Sequence, residues 1–281
     1  MKPLFLIPLS FLLFSFVGNK HKNDLELKNL KGKVKTTIEL WYPVNTKTGK
    51  MDTIPEKTIE NYDSEGNMLS SNSYQQNGKI LFSSTYQFNK PKRLIINKIL
   101  NEKSRQLNII QFDTNLNWIS IYGFDEYNSL TDIMTFKYDS NGNNLGHYIY
   151  NPTLVSYSID ASGTRKDRFP LNKDSVIDIR EIDGTWQVSK FIYKYDSMGN
   201  QIEEETYLND TNKLSSRSVF KYDNKDDKIE VSRYDEANGK LYIRYNCKYL
   251  NYDKQGNWTK QIRLHNNVVE GITKRTIEYY P

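Results

Sequence analysis

The ionisable side chains of this chain are plentiful but badly spaced for catalysis. A hydrolase needs a nucleophile beside a general base, yet the three histidines, His21, His147 and His265, are scattered. His147 follows a turn signal and His265 sits at a turn edge, which reads both as surface residues. One cysteine, Cys247, with three distant histidines cannot assemble a zinc site, and it reads as a buried, inert thiol. Asp139-Ser140-Asn141-Gly142-Asn143 has the central glycine of a calcium loop, but Tyr150 stands where the closing bidentate Glu belongs. A plain turn carboxylate is expected there. Glu203-Glu204-Glu205 and Asp125-Glu126 offer the carboxylate pairs a glycosidase uses. In a strand, however, Glu203 and Glu205 share one face, as a charged row protecting a sheet edge would. No glycine-rich phosphate loop precedes a helix, so nucleotide chemistry is excluded. The expectation is a protein without enzyme activity, cofactor or metal.

What remains is aromatic. Trp118 and Trp258 each follow an Asn in the same local pattern, and a row of such rings left exposed stacks well on sugar faces. These two tryptophans are the binding candidates, with an envelope glycan or a surface protein as partner. A core role for the same rings competes with that reading.

The elements that position these rings are repeats. Four copies of aromatic-Asp-x-x-Gly-Asn recur, at Tyr62-Asp63 with Gly66-Asn67, Tyr138-Asp139 with Gly142-Asn143, Tyr195-Asp196 with Gly199-Asn200, and Tyr252-Asp253 with Gly256-Asn257. Weaker copies stand at Phe88-Asn89, Phe112-Asp113, Ile159-Asp160 and Tyr222-Asp223, and a second set of turns, such as Asn77-Gly78 and Asn238-Gly239, falls between them. Two turns per repeat mean two strands per repeat. The Asp carboxylate is suited to accept from main-chain amides two and three residues on, and the Gly supplies positive φ. Asp63, Gly66, Asn67, Asp139, Gly142, Asn143, Asp196, Gly199, Asn200, Asp253, Gly256 and Asn257 are therefore read as structural turn residues.

Hydrophobic residues make up only 37%, but 21 Tyr, 12 Phe and 4 Trp point to a thin aromatic core. The formal charge of +5 is small and dispersed, which argues against nucleic acid. Residues 1–19 carry Lys2 and an apolar run interrupted by Pro8, too short for a comfortable span. They read as a signal peptide, with an uncleaved anchor as the alternative, so the chain is expected to be exported to the periplasm, the cell surface or the medium with no transmembrane span in its mature part. Residues 25–281 form one domain, with an irregular insertion at about 152–173.

The aromatic-Asp-x-x-Gly-Asn units resemble the YD or Rhs repeats of bacterial surface and toxin-delivery proteins and of teneurin ectodomains. The likeness runs from about residue 58 to 280. It implies tandem hairpins in one continuous, strongly curved sheet; eight units look too few to close a cage. The expected fold is thus all-β, an antiparallel meander forming one elongated curved sheet. The expected function is a non-enzymatic envelope or surface binding module, with a purely structural scaffold, and after it a glycan-active enzyme, as alternatives.

Overall fold

The structure is a computed structural model. It describes residues 23–89, 94–101, 104–114, 117–127, 129–138, 144–152, 158–159, 165–166, 186–208, 213–235 and 239–281. A single helical turn, α1 (Asp24–Leu27), precedes the strands β1 (Val34–Pro43), β2 (Glu56–Tyr62), β3 (Met68–Tyr74), β4 (Ile80–Asn89), β5 (Leu94–Asn101), β6 (Arg105–Phe112), β7 (Trp118–Phe124), β8 (Leu130–Tyr138) and β9 (Asn144–Pro152). A two-stranded pair, β10 (Ser158–Ile159) and β11 (Arg165–Lys166), follows. The chain then continues through β12 (Trp186–Tyr195), β13 (Gln201–Leu208), β14 (Leu214–Tyr222), β15 (Lys228–Asp235), β16 (Leu241–Tyr252), β17 (Trp258–His265) and β18 (Val268–Tyr279).

Sequential antiparallel pairing runs the whole length of the sheet, with β9 passing directly to β12. The expected open, elongated sheet is corrected here: β18 pairs with β1, and sixteen strands close into a barrel. The seam is a full ladder, from Thr36 opposite Glu278 to Pro43 opposite Gly271. It is reinforced by Glu39 accepting from Arg275 at 2.6 and 2.7 Å on one face and by a Lys35–Glu278 contact of 2.9 Å. Closure satisfies the main-chain groups that two free edge strands would expose.

The turns at one end follow the Asp pattern. The Asp63 carboxylate accepts from the amides of Glu65 and Asn67, two and four residues on, and from the Asn67 side chain. Asp196 and Asp253 accept from the same two positions, as does Asp223. Gly66, Gly199 and Gly256 lie at φ of +88, +85 and +84°, and Asp226 takes the equivalent place at +63°. Asp139, Gly142 and Asn143 lie outside the described residues, as does most of the insertion. A residue-level bulge accompanies these turns, as at Asn61/Tyr62, and turns the pre-Asp aromatic and the first residue after the turn toward one face. Successive hairpins are stitched together there: the hydroxyl of Tyr252 donates to Asp227 and that of Tyr279 to Asp253, 25 and 26 residues away.

The faces are told apart by the N-terminal segment. Leu25 N–H donates to the Gly66 carbonyl, Asn29 donates to Asp227 and to the Lys225 carbonyl, and Lys31 exchanges hydrogen bonds with the Asn257 side chain. These turns lie on one arc of the ring, on either side of the β1–β18 seam, and the segment packs against the face that carries Glu60 and Tyr62, which is the inner one. Register then carries the assignment around the barrel, because residues directly opposite share a face.

Candidate functional site

The lumen wall divides into two sectors. From β4 to β9 it is apolar: Ile95, Ile110, Phe112, Ile121 and Met134 are buried, with Trp118, Phe136 and Ile149 packed against them. His147 belongs to this sector. Contrary to the expected surface position, it is 1% exposed, its ring stacked at 4.2 Å on Phe191 and near Phe136, and its Nδ1 lies 2.7 Å from the Tyr193 hydroxyl. Alternation in β9 turns it inward, and burial lowers its pKa to about 3. A neutral ring here is packing, with no nucleophile to serve.

From β13 through β18 to β2 the wall carries charge held against rings. Arg275 stacks on Trp258 at 3.3 Å and is paired with Glu39. Lys228 Nζ lies 4.3 Å from the Phe220 ring, and burial depresses its pKa. Arg263 stacks on Trp41 at 4.2 Å and donates through Nε to Glu270 at 2.7 Å. Cys247 stands opposite Arg263, half-buried, its thiol pKa raised by burial. Where the N-terminal segment packs on β2 and β3, Lys28 meets Glu60 at 2.5 Å, and Asp24 accepts from the Met68 amide; burial pushes the Asp24 carboxyl up to about 6.

The structure places the two candidate tryptophans on different parts of this wall. Trp118 meets Phe136 edge-on in the apolar sector, and Trp258 is 8% exposed between Tyr249 and Arg275. They do not form one exposed row. Sequence reasoning passed over Trp41, Arg263 and Lys228 because nothing local distinguishes them; only the register of β1 with β18 and of β17 with β16 brings them to one wall.

The convex face divides too: on β6–β9 it buries Tyr122, Phe124 and Ile133 against Leu107, Ile109 and Tyr150, whereas on β12–β16 it carries charge. Lys194 contacts Glu203 and Glu205, Arg217 contacts Glu203, and Lys221 and Arg244 flank Glu230, all on outward rows of β12–β16. Glu203 and Glu205 do share a face, but in mid-sheet, since closure leaves no edge there. A cleft of about 370 Å³ opens beside β4–β7, lined by Thr85, Lys98, Leu100, Arg105 and Asp125 among others. Among the described residues no group of His, Cys, Asp and Glu is arranged to hold a metal, and no helix is long and apolar enough to cross a membrane.

No family model and no curated protein matches this sequence. Among solved structures, a porin-like protein from Bacteroides uniformis ATCC 8492 is 9% identical, covering 86% of this chain and 96% of its own, with a TM-score of 0.49. One from Bacteroides vulgatus ATCC 8482 is 11% identical over 88% and 98%, with a TM-score of 0.38. A TcdB2-TccC3 structure without its hypervariable C-terminal region is 12% identical, covers 79% of this chain and 14% of its own, and scores 0.26. These scores are too low to assign function. The expectation of a YD or Rhs repeat sheet is corrected by the fold itself: the strands close into a sixteen-strand barrel. With the open sheet goes the expected surface binding module or scaffold, because no extended concave face is left on the outside.

Proposed function

We propose that this protein is a non-enzymatic β-barrel of the cell envelope that acts through its lumen. The observation that carries this is closure itself. Sixteen strands about 4.8 Å apart and tilted by about 40° would form a ring of roughly 16 Å radius if circular, and closure turns one face of every strand toward that interior. The inward wall holds the stacked cations and buried aromatics, the groups that select a solute.

The even, antiparallel closure also favours a second reading, a channel spanning the outer membrane. The convex ladders weigh against it. Lys194, Arg217, Lys221 and Arg244 are 41–61% exposed on adjacent outward rows. Each costs about 2–4 kcal/mol at the middle of a bilayer. Water on the outside suits a mean hydropathy of −0.74.

Cys247 supplies the test, because the single thiol faces the lumen. A small methanethiosulfonate reagent is expected to label it in the native protein while a maleimide on a multi-kilodalton polyethylene glycol labels it only after denaturation. Equal native rates for both reagents would place the thiol outside and end the lumenal reading. Purification without detergent and silence in planar bilayers are expected; steady conductance would install the channel reading instead.

A further inference from the structure

Resting on the lumenal reading, we propose that Arg263, Trp41 and Tyr245 form a binding site for a small carboxylate solute with a flat apolar face. Arg263 is held between two rings, 4.2 Å from Trp41 and 5.7 Å from Tyr245. Its Nε is engaged by Glu270, and among the described residues no hydrogen bond takes its two Nη groups. That leaves the planar fork which matches a carboxylate edge-on. The side chain is 41% exposed, so the fork can be reached.

Arg275 gives the contrast within the same wall. It too lies on an indole, but Glu39 occupies it at 2.6 and 2.7 Å and its side chain is 11% exposed. It is structural. Trp41, by comparison, has space built for it: a Cβ on Gly271 would come within 2.1 Å of the indole Cη2. The missing side chain lets the Cη2–Cζ2 side of the ring close on β18, which fixes the indole and with it the guanidinium stacked on it. His265 extends the aromatic floor, 5.0 Å from Tyr245.

Cations are not in excess on this wall, where Lys228, Arg233, Arg263 and Arg275 face Glu39, Glu60, Glu204 and Glu270 with Glu56 opposite Trp41; the preference for an anion rests on the open Arg263 fork. Lys228 and Arg233 make no ion pair at contact distance among the described residues; Glu204 acts on both from further away. An aromatic or sugar-like ring would lie on Trp41 or Tyr245 while its carboxylate meets the Arg263 fork.

The test is calorimetric titration of the intact protein with benzoate and with benzyl alcohol, which share a ring and differ in charge. Benzoate is expected to bind and to quench tryptophan fluorescence, with Arg263→Gln weakening it by about tenfold or more and Arg263→Lys recovering part of the loss. Gly271→Ala, which displaces Trp41 and keeps the charge, should weaken it as well. Circular dichroism and melting identify any variant that has lost its fold; Arg263→Lys and the benzyl alcohol control then decide alone. Benzoate binding no tighter than benzyl alcohol, or unchanged in Arg263→Gln, overturns the site. If that happens while Cys247 still shows size-selective labelling, the site falls and the lumenal reading stands.

Discussion

The β4–β9 wall and the β15–β2 wall are built on the same hairpins, and they solve burial in opposite ways. The first buries Ile, Phe and Met and keeps its one imidazole neutral; the second lays cations on aromatic faces or pairs them with Glu, burying Arg275 and leaving Arg263 partly exposed. An apolar wall is stabilised by area removed from water and asks nothing of geometry beyond close packing. A charged wall must satisfy each ion individually, and the loss of one partner strands the other. The proposed solute site lies in the second region.

The sharpest way to break this contrast is at the N-terminal clamp. Lys28→Ala leaves Glu60 ionised among Tyr62, Thr37 and Ser71 without its cation, and a loss of about 3–5 kcal/mol is expected from chemical denaturation. Ile110→Ala in the apolar wall should cost about 2–5 kcal/mol by the same measurement, and Lys28→Ala together with Glu60→Leu should recover part of the first loss, whereas no second change rescues the cavity so simply.

The two regions should also answer pH with opposite sign. Asp24 has a folded pKa of about 6 against 3.8, so its contribution is fully present below the lower value and is lost as pH rises through about 6. His147 is depressed to about 3 from 6.5, so its contribution is present above 6.5 and is lost as pH falls toward 3. The Asp24 shift is worth about 3 kcal/mol and the His147 shift about 5 kcal/mol across their windows. Melting curves from pH 3 to 8 should show Asp24→Asn gaining stability at pH 7 and His147→Gln losing less than the parent on acidification. Two variants that parallel the parent at every pH would show that neither group titrates as its burial implies.

The smallest effect expected is common to all hairpins. Gly199→Ala places a side chain at φ +85° and should cost about 1–2 kcal/mol, while Ser197→Ala in the same turn should stay within about 0.5 kcal/mol. Equal midpoints in denaturant would mean that this turn relaxes freely.

Local chemistry was legible from the residues alone. An Asp whose carboxylate closes a turn over the next four residues, a glycine at positive φ and strands of period two all act within a short stretch of chain, so the turns and strands of all-β structure follow from spacing. Closure is another matter, because it depends on residues at opposite ends of the chain: Glu39 meets Arg275, and the Trp41 ring needs Gly271. Nothing in either segment names the other. Alternation likewise announces two faces without saying which is inside, and so His147 read as exposed and Trp118 and Trp258 stood open between core and binding platform. The tertiary structure decided these points through one long-range event, the pairing of β18 with β1 under the N-terminal clamp. It turned one face of every strand into a lumen and brought Trp41, Arg263 and Tyr245 onto a common wall.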